Sequence, residues 1–139
     1  MIMTVITNNE IETEAQGEAL AKRLAAGAVI ALTGGLGAGK TAFVRGLARG
    51  LGFTGRVTSP TFTIVNEYDS EIPLFHFDMY RINNEDELFE IGWDDYLERG
   101  GVIAVEWSEN ITGLLPENSV FVDIQKSGDF SRKIDIRQV

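Results

Sequence analysis

The chain has 139 residues, of which 44% are hydrophobic and 24% are charged, and this composition argues against a disordered protein. Its formal net charge of −9 argues against direct, high-affinity binding to nucleic acid, because an acidic surface repels phosphate groups. The chain has no cysteine, no signal segment and no long apolar run, so we expect a single cytoplasmic domain over residues 1–139, without disulfides or thiolate metal sites.

The N-terminal part of the chain predicts a strand, a helix and a second strand. Residues 4–7 have strand composition, and Asn9 followed by Glu12 resembles the cap of a helix that we expect to run to about residue 26. Residues 28–33 form a short, nearly all-apolar run, which is typical of a buried parallel strand.

The next stretch, residues 34–41, reads GGLGAGKT and fills the phosphate-binding pattern G-x-x-x-x-G-K-[ST] without a mismatch. Its glycines let the backbone curl so that N–H groups can point at phosphate oxygens, Lys40 adds a positive charge, and Thr41 offers a hydroxyl to Mg²⁺. A helix ending near Leu51 should follow and direct its positive end at the phosphates. A plain glycine-rich turn is the alternative, but the order strand, loop, helix favours a nucleoside-triphosphatase.

The rest of the chain predicts further strands around two short helices. A loop over residues 52–60 precedes strands over 62–65, 74–80 and 102–105, helical pieces over 84–88 and 91–97 broken at Gly92, and antiparallel strands over 120–124 and 133–137. The expected fold class is α/β: a P-loop NTPase-like domain whose central, mostly parallel sheet has antiparallel C-terminal strands and flanking helices.

Two acidic residues lie at the ends of predicted strands, where parallel sheets gather their ligands. We assign Glu106 to Mg²⁺, directly or through water, and Asp78 to orienting the attacking water or holding the outer shell of the metal. Thr61, on the loop before a strand, could reach the third phosphate as switch loops do. The alternatives are solvated strand ends for the two acids and an ordinary hydroxyl at the start of a strand for Thr61.

Other polar and aromatic residues have weaker functional indications. His76, the only histidine, is expected to be a satisfied core group. Trp107 could pack over the site or belong to the core, and Arg81 and Arg132 could clamp phosphate or form ordinary surface ion pairs. The guanine-recognition pattern Asn-Lys-x-Asp is absent, which favours adenine and therefore ATP.

Four separated segments together resemble the bacterial TsaE (YjeE) ATPases, which take part in making threonylcarbamoyladenosine in tRNA. They are GGLGAGKT at residues 34–41, SPTF at 59–62, HFDMYR at 76–81 and EWSE at 106–109. One departure is Gly35, where the family usually carries Asp; phosphate contact does not need that side chain, so ATP binding should be kept without any loop-switching role of the acid.

The resemblance implies roles for individual residues and partners. Thr41 and Glu106 would be the magnesium positions, and Asp78 and Trp107 would be functionally required. The nucleotide would be approached by a larger set of residues, namely Thr7 or Asn9, Gly37, Ala38, Gly39, Lys40, Thr41 and Arg132. The implied partners are TsaB and TsaD, of which TsaD transfers the threonylcarbamoyl group, so that this chain would be an ATP-driven accessory that meets tRNA only indirectly.

Two other functions stay open from the sequence. A small P-loop kinase would transfer phosphate to a metabolite, although the chain has little length to spare for a lid. A nucleotide-dependent binding module would show no significant turnover. For the ATPase we expect slow turnover by the isolated chain and stimulation by its partners, because no arginine is placed with certainty beside the phosphate loop.

Overall fold

The fold is built on a seven-stranded mixed sheet with helices on both faces. The structure is a computed structural model that describes residues 2–60 and 64–138. In chain order its elements are β1 (Ile2–Thr7), α1 (Glu10–Ala21), β2 (Val29–Thr33), α2 (Lys40–Gly50), β3 (Val65–Tyr68), β4 (Leu74–Asp78), α3 (Glu85–Ile91), α4 (Trp93–Glu98), β5 (Val102–Glu106), a 3₁₀ helix (Ser108–Leu114), β6 (Val120–Lys126) and β7 (Arg132–Gln138).

The strand order is β1-β7-β6-β2-β5-β4-β3. The central strands β6, β2, β5 and β4 are parallel, whereas β7 and β1 continue the sheet antiparallel on one side and β3 does so on the other. The apolar runs of β2 and β5 are buried because helices cover both faces of the sheet centre. The predicted α/β class, with a parallel centre and antiparallel C-terminal strands, is confirmed.

Helices α1 and α2 pack closely on one face, and glycines permit the approach. A Cβ atom at Gly17 would lie 2.1 Å from the carbonyl oxygen of Phe43, and one at Gly46 would lie 1.9 Å from that of Glu14. The other face is covered by α3 and α4, where Trp93 packs edge-on against Phe77. The pair α1–α2 therefore fixes where the start of α2 meets the carboxyl ends of the strands.

Several predicted boundaries differ from the structure. Helix α1 ends at Ala21 and not near residue 26, because the backbone continues in tight turns, with the N–H of Leu24 bonded to the carbonyl of Ala21. Strand β1 begins at Ile2, two residues earlier than expected. Strand β4 ends at Asp78 and not at residue 80, because the Asp78 carboxylate accepts the N–H of Tyr80 and turns the chain.

The predicted strand over residues 62–65 is also displaced. Residues 62 and 63 lie outside the described part of the chain, and Ile64 has a left-handed φ of 68°, so β3 begins only at Val65 and continues to Tyr68. The 3₁₀ helix after β5 was not predicted. The break at Gly92 is confirmed, because its φ of 102° ends α3 and starts α4.

Candidate functional site

A cleft of about 440 Å³ lies where β2, β4 and β5 end. Its walls are the loop from Gly35 to Thr41 and residues from the starts of α1 and α2, from strand ends and from connections: Glu10, Ala42, Arg45, Ser59, Ile64, Asp78, Tyr80, Arg81, Glu106 and Trp107. The structure therefore brings the predicted phosphate loop and both predicted acids to one place, as expected for the carboxyl edge of a parallel sheet.

The phosphate loop is held in shape by contacts from behind. Gly37 and Gly39 have left-handed φ angles of 73° and 111°, which glycine adopts without steric cost. Arg132 Nε donates to the carbonyl oxygen of Ala38 at 2.9 Å, and its Nη2 lies 3.4 Å from that of Gly37. Because a trans peptide directs its carbonyl and the following N–H to opposite sides, the N–H of Gly39 points away from Arg132.

Lys40 is folded back onto this loop. Its side chain is only 5% exposed, and its Nζ donates to the carbonyl oxygens of Gly34 and, at 3.0 Å, of Gly35. The Nζ atom also lies 4.1 Å from the centre of the Trp107 ring, a cation–π contact. Burial lowers the pKa of Lys40 from 10.5, and the negative charge of Glu106 opposes this shift. The ammonium group is therefore shielded from water, and a bound phosphate could replace the two carbonyl oxygens as its hydrogen-bond acceptor.

Thr41 and Glu106 form a pair of oxygen groups beside the loop. The Thr41 hydroxyl donates to Glu106 Oε2 at 3.1 Å and lies 3.4 Å from Oε1. Glu106 is 4% exposed at the end of β5, and its strand neighbours in register are Leu32 and Asp78. Hydroxyl and carboxylate oxygens suit Mg²⁺, which takes a few protein ligands and completes its shell with phosphates and water. Among the described residues no group of three carboxylates or imidazoles could hold a metal alone.

His76 is buried in the core as predicted, but it also belongs to the site. Its Nε2 lies 2.5 Å from Glu106 Oε2, while its Nδ1 has no hydrogen-bond partner among the described residues. The sequence predicts a satisfied core group and does not indicate this contact with Glu106. The signal that could have found it is its spacing: His76 stands two residues before Asp78 on one strand, so both side chains project from the same face.

Asp78 faces the cleft with one carboxylate oxygen well bonded and the other weakly bonded. Oδ1 accepts the backbone N–H of Tyr80 at 3.0 Å, whereas Oδ2 is 3.4 Å from the Ser59 hydroxyl. The N–H of Asp78 donates to the carbonyl of Ile64 at 2.8 Å, which ties β4 to the left-handed residue. Thr61 lies outside the described residues, so its predicted role stays a prediction.

Trp107 lines the cleft and stacks on Lys40 and Tyr80. Its ring centre is 4.9 Å from that of Tyr80, and its backbone has a left-handed φ of 57°. Both alternatives from sequence apply, because this half-buried ring lines the cleft and also packs against the core cluster beneath α3 and α4. Trp107 and Ile64, the two non-glycine residues with positive φ in the described part of the chain, both line the cleft, and unusual backbone angles cluster at functional sites.

A second cavity of about 450 Å³ adjoins the other side of the loop. It shares Glu10, Gly37, Gly39 and Ala42 with the cleft and is completed by Asn8, Asn9, Thr13, Asp129, Phe130 and Arg132.

Two residues predicted near the nucleotide have structural contacts of their own. Asn9 caps α1, because its side-chain oxygen accepts the N–H of Glu12 at 2.8 Å, and it still lines the second cavity. Thr7 is buried with its hydroxyl 2.8 Å from that of Thr13 and lines neither cavity.

Arg45 lines the cleft although the sequence analysis did not select it. It stands one helical turn after Thr41 on α2, and this spacing could have indicated it. Its guanidinium group lies 3.2 Å from the carboxylate of Glu10 and 3.5 Å from that of Glu14.

Comparison with known proteins identifies relatives that span nearly the whole chain. The family model "Threonylcarbamoyl adenosine biosynthesis protein TsaE" matches residues 7–134. The tRNA threonylcarbamoyladenosine biosynthesis protein TsaE of Bacillus subtilis is 43% identical over 96% of this chain and 84% of its own. The protein of the same name from Treponema pallidum is 36% identical over 96% of this chain and 99% of its own.

A crystal structure of Bacillus subtilis YdiB superposes on this fold with a TM-score of 0.85 and 38% sequence identity, covering 100% of this chain and 86% of that one. In the described part of the chain no helix has the length and apolar character needed to span a membrane.

Proposed function

Since the chain belongs to the TsaE family, we propose that it is the Mg²⁺-dependent, ATP-hydrolysing accessory protein of tRNA threonylcarbamoyladenosine biosynthesis, acting in the cytoplasm with a TsaB–TsaD pair. The relatives carry the name of this pathway, and one observation supports the ATPase activity above the others. The Thr41 hydroxyl, at the start of the helix that follows the phosphate loop, meets the Glu106 carboxylate at 3.1 Å. Two groups suited to Mg²⁺ therefore lie beside groups suited to phosphate.

Several residues of the cleft have a role in the proposed reaction. The N–H of Gly39 and the first N–H groups of α2 bind phosphate oxygens, and the Lys40 ammonium moves from the carbonyls of Gly34 and Gly35 to the outer phosphates. Thr41 and Glu106 hold Mg²⁺, which, when bound, neutralises charge on the phosphates. The weakly bonded Oδ2 of Asp78 accepts a hydrogen bond from the attacking water and orients it.

The second cavity is the place we propose for the nucleoside. Because the two cavities share residues of the loop, a triphosphate seated on the loop can extend from one into the other. Asn9 and Arg132 line that cavity, so a nucleotide contact fits each of them, and Arg132 also keeps the loop in shape through Ala38.

Slow turnover by the isolated chain is consistent with the contacts of two arginines near the site, which already bond other groups of the protein. Arg45 forms ion pairs with Glu10 and Glu14, and Arg132 donates hydrogen bonds to carbonyl oxygens of the phosphate loop. Arg81 also lines the cleft and is the candidate for an arginine acting in cis. An arginine added in trans raises turnover in related enzymes by about 10³–10⁵.

The test is phosphate release by the isolated chain and by the chain mixed with the TsaB–TsaD pair. We expect a low rate alone, a higher rate in the mixture, and tighter assembly with ATP than with ADP. Fast hydrolysis that is indifferent to the pair would overturn the proposal, and phosphate transfer to a metabolite would indicate a kinase. Two explanations of stimulation by the partners can be distinguished. If a partner supplies an arginine in trans, deleting that arginine should lower the rate and preserve assembly. If the partners instead order the loop around Thr61, loss of that ordering should weaken assembly as well as the rate.

A further inference from the structure

A buried histidine holds the acid that we assign to Mg²⁺. His76 is fully buried on β4, and its Nε2 lies 2.5 Å from Oε2 of Glu106 on the neighbouring parallel strand β5. For Glu106 to bind Mg²⁺ as an ionised carboxylate, Nε2 must carry the hydrogen and donate it, because an ionised carboxylate only accepts. Charge-assisted bonds of this kind are short and directional. The contact is therefore a specific one between adjacent strands and not incidental packing.

The contact restricts how the Glu106 carboxylate can turn. Oε2 is bonded from one side by His76 and from another by the Thr41 hydroxyl at 3.1 Å. With Oε2 held by both groups, the carboxylate plane is fixed, and Oε1, 3.4 Å from the same hydroxyl, is the oxygen with spare acceptor capacity. Without His76 the Glu106 side chain could rotate. The other hydrogen-bonding partner described for it is Thr41, and the hydroxyl of Thr41 is itself proposed to bind the metal.

We propose that His76 is a positioning residue that orients Glu106 for Mg²⁺ binding together with Thr41. The inference rests on the proposed function and adds to it a group outside the predicted metal site. His76 touches neither nucleotide nor metal in this arrangement. It acts as the partners of metal ligands do in other proteins, where their loss typically weakens metal affinity by about 10–100-fold.

The experiment measures binding of a non-hydrolysable ATP analogue by calorimetry, once with excess Mg²⁺ and once with EDTA. The ratio of the two dissociation constants reports how strongly Mg²⁺ assists binding, and it needs no catalysis. For His76→Leu we expect this ratio to fall by about tenfold or more, while binding in EDTA stays within about twofold of the unsubstituted protein. His76→Gln should restore most of the ratio, since its amide nitrogen can donate from nearly the position of Nε2.

The matched control is Leu74→Val, a buried change on the same face of β4 that does not touch Glu106. It should lower the unfolding temperature and leave the ratio unchanged. If His76→Leu does not fold, His76→Asn replaces it, because asparagine is polar but too short to reach Glu106. An unchanged ratio in a folded His76 variant would overturn the inference, as would equal losses for the Gln and Leu variants.

Failure of the proposed function would look different. In that case the unsubstituted protein itself would show no assistance from Mg²⁺, and its ratio would be close to one before any residue is changed. The inference about His76 fails when the unsubstituted protein shows the assistance and the folded variants either keep it or lose it equally with Gln and with Leu.

Discussion

The two walls of the cleft are held in very different ways. We call residues 34–41 the loop wall, and Ser59, Ile64 and Asp78 the opposite wall. In the loop wall, Lys40 bonds two carbonyls of its own loop and Arg132 bonds two more from behind. In the opposite wall, the backbone N–H of Asp78 bonds the carbonyl of Ile64 at 2.8 Å, but the side-chain link between Ser59 and Asp78 is 3.4 Å long, at the limit of a hydrogen bond.

In the proposed function, this difference would separate nucleotide binding from the control of hydrolysis. A wall that is fixed before the nucleotide arrives spends little binding energy on ordering, so it supplies affinity. A wall with a weak side-chain link and a left-handed isoleucine can be reshaped by what binds to it, so in the proposed function it could regulate the chemistry. The largest effects on turnover are therefore expected from the opposite wall, and the largest effects on affinity from the loop wall.

Asp78→Asn tests this division most strongly. If Asp78 orients the attacking water, the turnover number should fall by about 10²-fold or more, while the nucleotide dissociation constant changes by less than about threefold. Single-turnover hydrolysis and calorimetry measure the two quantities. Asp94→Asn, an exposed residue on α4, removes the same charge and should leave both quantities unchanged. Full activity of the Asp78 variant would contradict its assigned role.

Lys40→Ala tests the loop wall. A charge-assisted bond to phosphate contributes about 1.5–3 kcal/mol, so ATP binding should weaken by roughly tenfold to a hundredfold. Lys22→Ala, which removes an exposed lysine after α1, is the control. Unchanged affinity in calorimetry would argue that the loop does not bind phosphate.

Arg132→Met asks whether the support behind the loop matters. Methionine keeps much of the side-chain stem but removes the bond to the Ala38 carbonyl, which is 2.9 Å long. Because Arg132 is partly exposed, we expect a loss of about 1 kcal/mol in the free energy of unfolding by urea. Nucleotide affinity should fall by less than for Lys40→Ala. Lys133→Met, which removes an exposed positive charge on the same strand, should change neither value; equal effects at both positions would remove the special role of Arg132.

Ser59→Ala should have the smallest effect on stability. Its bond to Asp78 is long and the residue is only half-buried, so the free energy of unfolding should change by less than about 0.5 kcal/mol. Ser108→Ala offers the contrast, because that buried hydroxyl donates to the Leu32 carbonyl at 3.2 Å and its loss should cost about 1 kcal/mol. A large loss for Ser59→Ala would show that the opposite wall is held as firmly as the loop wall.

The predictable parts of the site are those encoded by local spacing. The phosphate loop follows from eight consecutive residues, and the placement of Asp78 and Glu106 follows from the apolar strands that precede them. Strand β5 reads as a continuous apolar run because both of its faces are covered, so its end could be located accurately.

The parts that could not be predicted depend on contacts between distant segments. The bond from His76 to Glu106 requires β4 and β5 to be parallel neighbours, and the bond from Arg132 to Ala38 requires β7 to lie two strands from β2. Local spacing places His76 on the same face as Asp78, but it does not say which strands are neighbours in the sheet. The delayed start of β3 has the same origin, because a positive φ is unfavourable for isoleucine by itself and surrounding structure must impose it.

The pairing of β1 with β7 limits how far the sheet can be completed while the chain is still being synthesised. Thr7 is opposite Arg132 in this pair, so the first strand waits for the last one while the phosphate loop and α2 have already been synthesised. Until β7 arrives, β1 has no strand partner, β6 has an open edge and the loop has no support from Arg132. If the loop binds ATP as proposed, we therefore expect a chain shortened to residues 1–126 to bind nucleotide poorly in calorimetry, because its nucleotide site would be completed only in the last step of folding.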